Sequence, residues 1–233
     1  FYHRELTMKV EDLNLEKNIR INAKSDALII VDMQNDFIPG GALPVEEGDL
    51  IVEGINEIAK KFKKNHGFVV VTQDWHPKNH KSFASSHPGK NPGDEYQSEG
   101  IGPILWPDHC VQNTKGAEFH KALEIALANK IIQKGMNPEI DSYSGFLDND
   151  KKNKTGLADY LKSVNIKRIF ICGLALDYCC YFTAMDGVDF GFEVYFLIDL
   201  AKGIDLPPGN ISVSLENMTK KGIKFASSKE SFN

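Results

Sequence analysis

Five short apolar runs constrain the fold of this chain more than any other feature. They are residues 27–31 (ALIIV), 68–72 (FVVVT), 130–133 (KIIQ), 168–172 (RIFIC) and 193–198 (EVYFLI). Each is strand-sized, rich in Val, Ile and Phe, and apolar at consecutive positions. A strand with one wet face alternates, whereas a strand covered on both faces does not, so these runs predict a parallel sheet with helices above and below. Between the first two runs, residues 48–65 place Ile51, Ile55, Ile58 and Phe62 at helical spacing, with Lys60, Lys61, Lys63 and Lys64 on the solvated end. That is the pattern of an amphipathic crossover helix. Residues 155–163 and 213–221 repeat it. Strands alternating with helices predict βαβ units, hence an α/β fold with a doubly wound, mainly parallel β-sheet in three layers.

The chain has 233 residues, which suits one domain of this kind. Residues 1–24 are polar and charged and are expected to form an N-terminal extension, leaving 25–233 as the domain. Residues 75–116 break the alternation, with Pro77, Pro88, Pro92, Pro103 and Pro107 and the histidines His76, His80, His87 and His109. A connection that long inside a compact α/β domain is generally functional. The formal net charge is −5, a poor start for gripping nucleic-acid phosphates. No apolar stretch approaches the ~20 residues that cross a bilayer, so no membrane span is expected. The chain starts at Phe1 without a charged-then-apolar leader and ends in Ser-Phe-Asn, so neither secretion nor a peroxisomal address is expected and the cytoplasm is the default. Cys110, Cys172, Cys179 and Cys180 fit neither paired metal knuckles nor a disulfide framework, and are expected as reduced thiols.

Ligands of open α/β sheets bind beyond the carboxyl ends of the strands. The residues just past each run are therefore informative: Asp32, then Gln73-Asp74-Trp75-His76, then Lys134, then Gly173-Leu174-Ala175-Leu176-Asp177-Tyr178-Cys179, then Asp199. One polar residue at a strand end is commonly a turn former. An Asp, a Lys and a Cys converging on one crevice would instead form a nucleophilic site. A free thiol is mostly protonated at pH 7, so Cys179 would need a base, for which Asp32 is the candidate. Lys134 would hold that carboxylate and offset charge. Backbone N–H groups at a helix start beside Cys179 would favour the thiolate and bind an oxyanion. Such a site suits acyl transfer from an amide through a thioester. Asp74-x-His76, with His80, His87 or His109 downstream, could complete a metal site for Zn, Mn or Fe, although loop histidines are more often surface residues.

The strings ALIIVDMQNDFIPGGALPV, TQDWHP, WPDHC, KG followed by YSGF, and GLALDYCCYFTAMD occur in this order. Together they resemble the nicotinamidases (pyrazinamidases) of the isochorismatase-like cysteine hydrolase superfamily, over residues 27–228. The resemblance implies Asp32, Lys134 and Cys179 as a catalytic triad and hydrolysis of nicotinamide to nicotinate and ammonia in NAD salvage, with pyrazinamide as a second substrate. It implies Asp74, His76 and His109 as ligands of one divalent metal ion, zinc first and manganese or iron next, that would meet the pyridine nitrogen. His80 stands near a position where some members add a ligand. Phe37, Trp106 and Tyr143 match the residues that sandwich the ring. Leu174 and Ala175 match a cis peptide that shapes an oxyanion hole with the N–H groups of Ala175 and Cys179. Cys180 departs from the pattern, since a small apolar residue is common there, and Lys134 and Tyr143 lie two residues further apart than in the shortest members. The rival readings are an isochorismatase or N-carbamoyl amidase of the same superfamily, a catalytically silent scaffold, and a thiol sensor using Cys179 and Cys180. The expected partner is the small-molecule substrate, with a homo-oligomer left open and neither nucleic acid nor membrane expected.

Overall fold

A computed structural model describes residues 7–233. Six strands, β1 (Asp26–Val31), β2 (Phe68–Asp74), β3 (Lys130–Lys134), β4 (Arg168–Leu174), β5 (Glu193–Lys202) and β6 (Lys224–Ala226), form one sheet. The order is β3-β2-β1-β4-β5-β6, and every pairing is parallel. The helices are α1 (Val52–Lys64), α2 (Leu157–Ser163), α3 (Tyr181–Asp189) and α4 (Asn210–Lys221).

The two faces of β1 sort the core. Leu28 and Ile30 pack in one cluster with Ile55, Ile58, Ala59 and Phe62 of α1. Ala27, Ile29 and Val31 pack in the other with Leu157 and Leu161 of α2, Ala184 of α3, and Leu215 and Met218 of α4. Helices therefore cover both sides, and β1 is wholly buried because it lies mid-sheet. On the α1 side, Asn56 reaches out of the helix to donate to Ala122 O at 2.8 Å and accept from Glu124 N–H at 2.9 Å, tying down the segment that leads to β3. Lys61, Lys63 and Lys64 occupy the last turn of α1, where positive charge is favoured by the helix dipole.

Three local expectations change. Strand β3 is at the sheet edge and is not buried on both faces: Ile131 is 44% exposed. Strand β5 continues through Asp199 to Lys202, because its pairing with β4 jumps from Ile171↔Phe196 to Gly173↔Ala201. Asp199 lies in that bulge and accepts from Ser228 N–H at 2.9 Å, instead of ending a strand at the crevice. The sheet also gains a sixth strand, β6, which at three residues is too short to stand out as an apolar run. Of the N-terminal stretch, residues 1–6 lie outside the described residues. Leu15 bridges to Phe225 and Ile19 to Phe232, with Ile19 buried, so this part is stitched along β6 and the C-terminal tail.

The chain builds β1, β2 and β3 outward in one direction and β4, β5 and β6 in the other. The reversal falls between β1 and β4, the place where an open sheet leaves a crevice. Asp32 follows β1 there, and the turn to Cys179 follows β4. The two strands touch at Gly173, where φ is +120° and an added Cβ would stand 2.2 Å from Val31 O.

Candidate active site

Four strand ends supply the buried polar cluster. Lys134, on the inward face of β3, is 1% exposed. Its Nζ lies 2.9 Å from Asp32 Oδ2 and 2.6 Å from Asp74 Oδ1. It also donates to Ser142 O at 2.9 Å and approaches Cys179 Sγ at 3.5 Å. The Cys179 sulfur and carboxylate oxygens of Asp32 and Asp74 all lie within 4.8 Å of one another. The structure thus brings Asp32, Lys134 and Cys179 together around one ammonium. Cys179 sits in a wide helical turn, Leu176–Cys180, that runs directly into α3. Its carbonyl accepts from Thr183 Oγ1 at 2.6 Å, and that hydroxyl accepts from Gly145 N–H at 2.8 Å. The Leu174–Ala175 peptide is cis.

Burial dominates the electrostatics. It pushes the Asp32 carboxyl above its ordinary value, and Lys134 only partly opposes this. Burial also pushes Asp74 up, but Lys134, His76 and His109 outweigh it and hold that carboxyl well below the usual range. For Lys134, burial disfavours the ammonium, while Asp32, Asp74 and Cys179 raise it well above an ordinary lysine. Burial lifts the Cys179 thiol well above the usual range, with Lys134 as the opposing charge. The resting cluster is therefore a salt-bridged ammonium between two carboxyls, beside a protonated thiol.

The second cluster adjoins the first through Asp74. His76 Nε2 is 3.3 Å and His109 Nε2 is 3.7 Å from Asp74 Oδ2. His76 Nδ1 donates to Gly135 O at 2.8 Å and His109 Nδ1 donates to Pro107 O at 2.7 Å. A carbonyl can only accept, so both Nδ1 atoms carry the proton and both Nε2 atoms are turned toward the carboxylate. His76 Nε2 is buried without a hydrogen-bond partner among the described residues. Burial lowers the His76 imidazolium, yet the Asp74 carboxylate outweighs it and the net shift is upward. The three donors thus converge on a place that attracts positive charge, and two imidazole nitrogens with one carboxylate oxygen are the donor set of a divalent transition metal. The residues fit such an ion.

His80 is close, its ring 4.2 Å from that of His76. Both its nitrogens are engaged: Nδ1 accepts from Ser82 N–H at 3.1 Å, and Nε2 donates to Ile140 O at 3.2 Å. Burial, with His76 beside it, lowers its pKa to about 4. His87 lies elsewhere, donating from Nε2 to Lys81 O at 2.7 Å.

The aromatic residues divide into two groups. Trp106 Nε1 donates to Tyr143 Oη at 3.1 Å, and both rings stand edge-on to Tyr178, the neighbour of Cys179, at 5.1 and 5.4 Å. Phe37 packs on the opposite side, 5.6 Å from the His109 ring, in the other core cluster. Leu174, the last residue of β4, is fully buried. Cys180 is fully buried, and burial pushes its thiol well up.

Three supporting residues stand outside the sequence-based set. Thr72 Oγ1 donates to Asp32 Oδ1 at 2.7 Å. Gln34 pairs with the backbone of Asp74. Asp36 Oδ2 accepts from Cys110 N–H at 2.8 Å, holding the residue after His109 at a φ of +46°. The only signal the sequence offers for them is a polar residue inside an apolar strand at Thr72, and unassigned positions in DMQNDF at Gln34 and Asp36.

A six-stranded parallel sheet with this cluster at its switch point defines the isochorismatase-like α/β class. The chain belongs to the Isochorismatase family: the Isochorismatase domain matches residues 26–230. Within it, the chain is 44% identical over 207 residues to the nicotinamidase of Acinetobacter baylyi, covering 89% of this chain and 94% of that one. A solved nicotinamidase–pyrazinamidase from Acinetobacter baumanii superposes with a TM-score of 0.84 at 43% identity, covering 88% of this chain and 97% of that one. The pyrazinamidase of Pyrococcus horikoshii, solved in complex with zinc, superposes with a TM-score of 0.72 at 44% identity, covering 87% and 99%.

Proposed function

We infer that the chain is a nicotinamidase, an amidohydrolase that converts nicotinamide and water to nicotinate and ammonia, the chemistry of NAD salvage. Pyrazinamide, which differs only in one further ring nitrogen, fits the same reading. The observation that carries it is the shared ammonium of Lys134, which links Asp32 and Cys179 on one side to the Asp74, His76 and His109 cluster on the other. A thiol beside a donor set that could hold a ring-nitrogen anchor suits a pyridine carboxamide, and the similarity to nicotinamidases over most of the chain names the ring.

In this reading Cys179 is the nucleophile. Asp32, made more basic by burial, takes the thiol proton as the sulfur attacks the carboxamide carbon. Backbone N–H groups of Ala175 and Cys179 receive the developing oxyanion. Collapse releases ammonia with the proton from Asp32 and leaves a thioester on Cys179. A water deprotonated by Asp32 then cleaves the thioester to nicotinate and restores the thiol. Lys134 keeps Asp32 and Asp74 from repelling one another and holds positive charge beside the sulfur. Phe37, Trp106, Tyr143 and Leu174 form the walls for the ring. Asp74, His76 and His109 would hold one divalent ion, zinc by preference, as a Lewis acid that anchors the pyridine nitrogen. His80, with both nitrogens engaged, supports that ion from outside its ligand set.

Residues 25–233 are read as one catalytic domain, with the described part of the preceding stretch, residues 7–24, as a strap along β6 and the C-terminal tail. Among the described residues no helix is long and apolar enough to cross a membrane. Ammonia release from nicotinamide, before and after chelation and with zinc, manganese or iron restored, tests the function. Loss on stripping with recovery on metal return is expected. Activity indifferent to metal would remove the ring-nitrogen anchor, and no activity in metal-replete enzyme would redirect the search to isochorismatase or N-carbamoyl amidase substrates.

A further inference from the structure

A carboxylate has two oxygens, and those of Asp32 are not equivalent. Oδ1 accepts a 2.7 Å hydrogen bond from Thr72 Oγ1. The same hydroxyl oxygen accepts the backbone N–H of Asp32 at 3.2 Å, so the single hydroxyl proton is committed to Oδ1. The other face of Thr72 is filled too: an added Cβ at Gly145 would stand 3.1 Å from Thr72 Cγ2, so the methyl packs toward Gly145 while the hydroxyl turns to Asp32. Oδ2 is different. It forms an ion pair with Lys134 Nζ, 2.9 Å away, and is buried without a geometric hydrogen-bond partner among the described residues. Oδ2 is thus held by the charge of the ammonium, and a buried acceptor oxygen with no directed donor has a lone pair left for a proton.

We propose that Thr72 is a positioning residue for proton transfer, locking Asp32 so that Oδ2 alone faces the thiol and receives the Cys179 proton. The assignment rests on the nicotinamidase reading above. In the first step the S–H bond breaks and its proton passes to Oδ2. The sulfur electron pair forms the bond to the carboxamide carbon, and the carbonyl π pair moves onto oxygen. On collapse the C–N bond breaks and nitrogen leaves as ammonia with the Oδ2 proton. Thr72 touches neither substrate nor sulfur; it acts through the carboxylate. A carboxylate free to rotate would present either oxygen and spend its time out of line, which lowers the rate of the chemical step without altering how the ring is held.

The test compares Thr72→Val, which keeps the shape and removes the hydroxyl, with Thr72→Ser, which keeps the hydroxyl. Steady-state ammonia release and metal per chain are measured for each in metal-replete enzyme. Thr72→Val is expected to lower kcat by about 10- to 100-fold with KM changed less than about twofold, the signature of lost positioning of a charged group. Metal content should stay at the unmodified level, and Thr72→Ser should recover kcat to within about threefold, since one hydroxyl is the whole difference. Thr72 is two residues from Asp74, so a merely structural role would lower metal content or raise KM in parallel. That parallel loss would overturn the proposal, as would an unchanged kcat in Thr72→Val or a Thr72→Ser enzyme as slow as the valine variant. If Thr72→Val does not fold, Thr72→Ala carries the same comparison with Thr72→Ser. The unmodified enzyme is the reference: silence there overturns the nicotinamidase reading, whereas normal turnover there with a reversed variant pattern overturns only the role of Thr72.

Discussion

The side-chain amide of Gln34 pairs with both backbone groups of Asp74. Its Nε2 donates to Asp74 O at 2.8 Å, and its Oε1 accepts from Asp74 N–H at 2.8 Å. Nε2 also donates to Ala117 O at 2.9 Å. Strand β1 stops at Val31, one residue short of Asp32, yet this side chain continues its pairing with β2 out to Asp74. The carboxylate shared by Lys134, His76 and His109 is therefore placed by a residue three positions beyond the strand.

Gln34→Leu should thus act on the metal site before it acts on turnover. It leaves the two buried backbone groups of Asp74 unpaired, whereas Ala117 O keeps its hydrogen bond from Gln73 Nε2, at a cost of about 2–4 kcal/mol. The urea midpoint should fall, and metal per chain should fall with it, measured by elemental analysis after dialysis. A variant that loses stability but keeps its metal would show that Gln34 supports the fold alone.

Adjacent Cys179 and Cys180 separate cleanly. Cys179→Ala should lose at least about 10⁴-fold in kcat, as expected for removal of a covalent nucleophile. Cys180 is fully buried in the core cluster shared with α2, α3 and α4, so Cys180→Ala should cost about 1–2 kcal/mol of stability and leave most of the rate. A labelled haloacetamide should mark Cys179 in the unmodified enzyme. Normal ammonia release from Cys179→Ala would move the nucleophile elsewhere.

How far the site is legible in the chain depends on where each residue stands. Asp32, Asp74 and Lys134 interrupt or end apolar runs, so an open parallel sheet sends them to one crevice without further information. Cys179 is six residues past Gly173, and only the turn and the start of α3 bring it back. Thr72 gives only a faint signal, because a threonine inside FVVVT also reads as an ordinary strand former; its meaning comes from Asp32, forty residues away. Asp199 misleads in the other direction, since a bulge is a register event between two strands and leaves no mark in either one. The exposure of β3 has the same origin: composition reports apolar residues, but sheet order decides which strand is at the edge.

The acid side of the pH profile should report Asp32. Burial raises its pKa above the ordinary value of 3.8, with Lys134 opposing. Below that pKa the carboxyl is protonated and cannot take the thiol proton, so kcat/KM should fall as pH falls through it, with a midpoint above the usual carboxylate range of about 4. Lys134 is raised well above an ordinary lysine, so its deprotonation should not create an alkaline limb below pH about 10. Metal content followed over the same range separates this limb from loss of the ion. A midpoint at or below 4, with metal retained, would remove Asp32 as the base.

Gly173 is a backbone position that cannot accept a side chain without moving the main chain. Its φ of +120° lies where an L side chain is strained, and a Cβ there would meet Val31 O at 2.2 Å and Val31 N at 2.7 Å. These are main-chain atoms of the central strand, so no rotamer change can relieve the clash. Strands β1 and β4 would have to separate at the switch point, which parts Asp32 from the turn that carries Cys179. Gly173→Ala should therefore cost about 3 kcal/mol or more, by strain at a special φ together with overpacking. Any folded fraction should retain metal, since Asp74, His76 and His109 hang from β2 and the following loop, while losing turnover. Gly191, which has a φ of +91° and open space around it, provides the control for φ alone. Gly191→Ala should cost only about 1–2 kcal/mol and leave turnover intact. Equal losses for the two substitutions would mean that the close approach of β1 and β4 does not set the distance between Asp32 and Cys179.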